Sequence, residues 1–193
     1  MKVMNNKEYK ENSGNFESKE YKIYILLSRF KDIFSKITSF VSAGGCSHVS
    51  IGLSENTNLF YSFTIKGFAV EHPHHWKRAV NKVICYEIPV SREQYDKVKE
   101  KIQYMLKHRS EYHYSRIGVA LCFLRIPNKI RRRYICSQFV SELLVETDIV
   151  KVPMSPSICL PETVGHFVKK SGRASEVCRF PAPKRIKAGA VTA

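Results

Sequence analysis

Cys136-Ser-Gln-Phe-Val-Ser-Glu-Leu-Leu144 reads as the opening of a helix with one apolar face. Phe139, Val140, Leu143 and Leu144 recur at helical spacing, and Cys136 stands one turn earlier, at the mouth of that face. A thiol placed there meets unpaired backbone N–H groups and the positive end of the helix dipole, and both favour the thiolate. Far upstream, Ser47-His48-Val-Ser-Ile51 is a β-rich run carrying a histidine. An imidazole brought beside the sulfur takes its proton, or holds positive charge next to the thiolate, and so makes it a nucleophile. The competing reading of the same thiol is a small buried hydrophobe, since free cysteine is among the most buried residue types.

Outward from this helix, the chain divides into a β-rich half and a helical half. Tyr21 to Leu27 has the β-branched, half-alternating pattern of a strand. Phe30, Ile33, Phe34, Ile37, Phe40 and Val41 recur at helical spacing, which predicts an amphipathic helix ended by Gly44-Gly45. Further strands are expected over His48 to Leu53, Leu59 to Thr64, Phe68 to Glu71 and Lys82 to Pro89, with turns at 55–58 and 66–67. Ser91 is a candidate N-cap for a helix that buries Tyr95, Val98, Ile102, Met105 and Leu106. The nearly apolar run from Ile117 to Ile126 predicts a buried helix or strand, because a membrane span needs about 20 such residues. A basic loop, Lys129-Ile-Arg-Arg-Arg133, leads into the Cys136 helix, and Leu160 to Phe167 predicts one more short helix. The fold class expected is α+β, an antiparallel sheet packed against helices. Residues 21–170 form its one domain, with a flexible polar leader over 1–20 and a disordered basic tail over 171–193.

Composition narrows the function classes. A length of 193 residues suffices for one real core, and 44% hydrophobic with 25% charged residues is ordinary for a globular protein. The net charge of +15 is not ordinary and points to an anionic partner or substrate, or to a solvated basic surface. No DNA- or RNA-recognition motif accompanies the charge, so nucleic acid is not the partner expected. The six cysteines contain no CxxC pair, and the N-terminal sequence has no apolar signal region, which together predict reduced thiols in a cytoplasmic protein. Glu71-His72-Pro-His74-His75-Trp-Lys-Arg78 is rich in imidazole, yet no further Cys, His or Asp set completes a zinc site. We read it as a basic, aromatic loop at the rim of the site and expect no metal or other cofactor.

Taken in order, Cys46-Ser-His48-Val-Ser-Ile-Gly-Leu53, then Leu59-Phe-Tyr-Ser62-Phe63, Gly67-Phe-Ala-Val-Glu71 and Tyr134-Ile-Cys136-Ser-Gln-Phe-Val-Ser-Glu-Leu143 resemble one group of proteins. These are the circularly permuted NlpC-type papain-fold cysteine hydrolases, relatives of the lecithin retinol acyltransferase-like enzymes. The resemblance covers residues 21–167 and implies a permuted papain-like order, with the histidine strand before the cysteine helix. It also implies Cys136 as nucleophile, His48 as base, and a third polar residue on the next strand that orients the imidazole. The matching position is Ser62, a departure from the stronger acceptors usual there, because a neutral hydroxyl supports an imidazolium less than a carboxylate does. Glu71 is the nearest carboxylate downstream but lies one strand later. The implied activity is a cysteine hydrolase or acyltransferase acting on an amide or ester of a small molecule, lipid or peptide, through an acyl-enzyme. The alternative is a catalytically weak binding protein that uses the same cleft to hold an anionic ligand.

Overall fold

A computed structural model describes residues 20–30, 45–73, 76 and 80–177. Its strands are β1 (Lys22–Phe30), β2 (His48–Leu53), β3 (Asn56–Thr64), β4 (Gly67–Glu71), β5 (Val80–Pro89), β6 (His113–Tyr114), β7 (Arg133–Tyr134) and β8 (Ser175–Glu176). Its helices are α1 (Arg92–Lys107), α2 (Arg116–Phe123), α3 (Cys136–Glu146) and α4 (Pro161–Lys170). Six strands form one sheet in the order β4-β3-β2-β1-β5-β8, and every neighbouring pair is antiparallel. β6 and β7 form a separate short parallel pair.

The central strand explains why Tyr21 to Leu27 is nearly all apolar. Ile23, Ile25 and Leu27 join Val49, Ile51 and Leu53 of β2 in the main core. Tyr24 and Leu26 point the other way, into a smaller cluster with Phe60 and Cys85. A strand buried on both faces loses its polar alternation. Onto the main face pack α3, against β2 and β3, and α4, against β1 and β2. Phe139, Val140, Leu143 and Leu144 of α3 are all buried, each contributing on the order of 1.5–3 kcal/mol of apolar transfer. Residue types also set the helix starts. Ser91 Oγ accepts the Gln94 N–H and Gln94 Oε1 accepts the Ser91 N–H, both at 3.1 Å, a reciprocal cap that opens α1. Pro161, whose missing N–H costs nothing in a first turn, opens α4.

Three expectations meet a different structure. Phe30, assigned by periodicity to a helix, is the last residue of β1; the rest of that helix, within 31–44, lies outside the described residues. The apolar run 117–126 is helical over most of its length, but it is not buried throughout: Ile117, Leu124 and Ile126 are 67%, 69% and 48% exposed. Inside the expected tail, Ser175–Glu176 add an edge strand to β5 with the register Tyr86↔Glu176 and Glu87↔Ser175. The leader over 1–19 and the sequence from 178 onward fall outside the described residues. Among the described residues, no helix is long and apolar enough to cross a membrane.

Candidate active site

Cys136 is the first residue of α3 and is buried, 7% exposed. Its N-cap, Ile135, is extended and offers no side-chain cap. The first backbone bond of the helix runs from the Phe139 N–H to the Ile135 carbonyl at 3.1 Å. The N–H groups of Cys136, Ser137 and Gln138 therefore stand outside the helical ladder, around the sulfur. The parallel β6–β7 pair aims this segment. His113↔Arg133 and Tyr114↔Tyr134 are in register, and the Ser115 N–H reaches the Tyr134 carbonyl at 2.9 Å.

His48 opens β2 and is 9% exposed. The segment before it is tied down twice. The Ser47 N–H donates to the Ser28 carbonyl at 2.9 Å, and the Cys46 N–H donates to Glu162 Oε2, in the first turn of α4, at 2.7 Å. The Phe30 ring closes one side of the imidazole, with centroids 5.7 Å apart, and Trp76 backs Phe30 at 5.0 Å. His48 Nε2 lies 2.7 Å from Oε1 of Glu71, the last residue of β4, which is itself 8% exposed. Cys136 stands near enough to His48 to favour the protonated ring. With Nε2 committed to the carboxylate, Nδ1 is the ring nitrogen left for the sulfur.

The polar side chain set against the His48 ring is thus Glu71, where the chain match expected Ser62. The Ser62 hydroxyl, fully buried on β3, donates to the Val49 carbonyl at 2.6 Å and is spent on holding β3 to β2. A match along the chain puts the orienting group on the strand next to β2, whereas the sheet delivers a carboxylate from one strand further out. The available signal was a lone Glu ending an otherwise apolar strand, Phe-Ala-Val-Glu71. Among the described residues, no three His, Cys, Asp or Glu side chains are grouped so as to hold a metal ion. His74 and His75 lie outside them.

Burial and neighbouring charge set the proton affinities of His48 and of the thiols outside the site. Burial by itself pulls the His48 imidazole down, but the Glu71 charge, the nearby Cys136 and the hydrogen bond to Glu71 outweigh it. The imidazolium is held well above the usual histidine range. Burial pushes the Cys46 and Cys122 thiols up to about 11, and it raises Cys159 as well. These three are kept protonated at neutral pH. Burial first, then the Cys136 and Cys122 charges, push the Tyr114 phenol far above the tyrosine range, so it stays a neutral donor at the site wall.

Cys136, His48 and Glu71 share one cavity of about 320 Å³. Its other walls are mainly apolar and include Phe30, Phe63, Val119, Phe123, Ile135 and Leu160. That size and lining suit the apolar part of a small ligand. No protein-family model matches this chain, and a search of curated proteins finds no match.

Proposed function

We propose that this chain is a cysteine hydrolase or acyltransferase of the permuted papain-like, NlpC-type group, acting on an amide or ester whose acyl part is apolar. One observation carries the reading: a carboxylate–imidazole–thiol series, Glu71–His48–Cys136, ends at an uncapped helix N-terminus inside an apolar cavity. His48 takes the Cys136 proton, and Glu71 stabilises the imidazolium that results. The thiolate attacks the carbonyl carbon, and the charge that develops on oxygen is met by backbone N–H groups of Cys136 and its neighbours. As the tetrahedral intermediate collapses, the bond to the leaving group breaks and His48 returns its proton to that group. Neutral His48 then takes a proton from water, or from an acceptor alcohol or amine, whose attack releases the acyl group from sulfur. The free thiols of the described cysteines suit the reducing interior of a cell, and we place the protein there.

The test is to trap the intermediate. Incubation with p-nitrophenyl esters of graded acyl length, followed by intact-mass analysis, should show one acyl adduct on Cys136 that hydroxylamine removes. Apolar acyl groups that fill the cavity should react faster than acetyl. Native protein that acquires no adduct, while binding anionic ligands, would favour the binding-protein alternative.

A further inference from the structure

The segment 112–135 contains six Lys or Arg (Arg116, Arg125, Lys129, Arg131, Arg132, Arg133) and no Asp or Glu. It builds one wall of the cavity, through Val119, Cys122 and Phe123, and also delivers the chain to Cys136. Its outer side is unusual. Arg116, Ile117, Ala120 and Leu124 follow the helical period and are all exposed, and they run on into exposed Arg125, Ile126 and Pro127. Ile117 and Leu124 are more than two-thirds exposed, while the buried residues of the same helix are Gly118 and Cys122. Further along the same segment, Lys129, Arg131 and Arg132 line a second recess of about 490 Å³ together with Tyr104, Tyr112 and Tyr134. Of the six cations, Arg132 is ion-paired, to Glu111, and no such pair forms for the other five among the described residues.

We infer that α2 and the loop after it dock the protein on an anionic lipid surface, with Ile117, Leu124 and Ile126 entering the acyl region and the surrounding cations meeting phosphate headgroups. Charge and shape together select this occupant. A protein partner for a convex helix would be a groove of matching outline, whereas a lipid surface accepts any convex apolar ridge and rewards a rim of uniform positive charge. Each cation near an anionic bilayer strengthens attachment by about fivefold, so even part of this cluster is decisive. Docked this way, the Val119–Phe123 wall brings the Cys136 cavity close to the lipid. The docking face stands on its own observations and does not require Cys136 to be reactive.

Sedimentation of the 193-residue chain with vesicles tests it without any turnover. One set is phosphatidylcholine alone, and the other is an equal mixture of phosphatidylcholine and phosphatidylserine. The chain should bind the mixed vesicles and leave the neutral ones. The Ile117→Ser/Leu124→Ser variant should lose about a hundredfold or more in affinity, on the order expected for two aliphatic side chains kept out of the lipid. Arg125→Gln/Arg131→Gln should lose about twentyfold, two charges at about fivefold each. Because these residues are exposed, circular dichroism should show both variants folded. The basic C-terminal sequence, Lys184-Arg185-Ile-Lys187, is a second possible source of vesicle affinity. If both variants bind as tightly as the parent chain, or if neutral and acidic vesicles bind equally, the assignment is wrong. It is also wrong if vesicles are ignored and a concentration-dependent dimer disappears in Ile117→Ser/Leu124→Ser, since the ridge then meets a second copy of the chain.

Discussion

Replacing Glu71 by Gln keeps the shape of the side chain and removes its charge. The carboxylate lies 2.7 Å from His48 Nε2, and both groups are more than nine-tenths buried, so solvent screens the pair little. With charge centres roughly 4 Å apart and an effective dielectric near 20, their attraction is about 4 kcal/mol. The amide retains a neutral hydrogen bond worth about 1 kcal/mol, leaving a net loss of about 3 kcal/mol. That loss falls on the imidazolium, hence on the thiolate–imidazolium pair, whose population at neutral pH should drop by up to roughly a hundredfold. Alkylation by iodoacetamide reads this population directly and needs no substrate. Followed by intact mass across a pH series, the Cys136 rate in Glu71→Gln should be far below the parent near neutrality. The two rates should converge at alkaline pH, where the thiolate forms without help. Superimposable pH profiles would refute the reasoning, and so would a Ser62→Ala profile carrying the same shift.

Other outcomes follow from neighbouring contacts. The proton affinity of His48 is raised on folding, so the His48–Glu71 pair stabilises fully below the unfolded value near pH ~6.5 and is lost as pH rises through the folded value. Denaturant unfolding of parent and Glu71→Gln should therefore differ most at the acidic end of a series begun near pH ~6, and the difference should shrink as pH rises through the raised folded value. Ser62→Ala should cost about 1–2 kcal/mol of stability, because the Val49 carbonyl loses its buried donor, while the Cys136 alkylation rate changes by tenfold or less. Gly67→Ala should destabilise by about 2 kcal/mol or more in the same unfolding assay. Its φ is +95°, and a Cβ there would sit 2.6 Å from the Tyr112 carbonyl oxygen.

Local pattern made much of the frame legible. Strand residues alternate or run apolar according to which faces they bury, so β1 to β5 were readable from residue type and turn chemistry. So was the α3 face, because Phe139, Val140, Leu143 and Leu144 leave only one side for the core. Cys136 and His48 were legible as a pair because each stands at the edge of such an element. Glu71 is less legible than Ser62, since pairing two strands apart is a property of the assembled sheet and leaves no period in the chain. β8 escaped for a related reason: two exposed residues held by backbone bonds alone carry no hydrophobic signature. The 117–126 run misled in the opposite direction. Apolar content announces burial only when something covers it, and α2 is covered on one side.

Whether Cys136, held by His48 and Glu71, is the nucleophile of this chain is decided by its reactivity beside the other thiols. Native labelling with limiting iodoacetamide at about pH 6, followed by peptide mapping, tests it most directly. At that pH an ordinary thiol is almost wholly protonated, and Cys46 and Cys122, pushed up to about 11, are more so. Modification should fall on Cys136 first and be abolished in His48→Ala. Labelling of Cys46 or Cys85 ahead of a protected Cys136 would contradict that role.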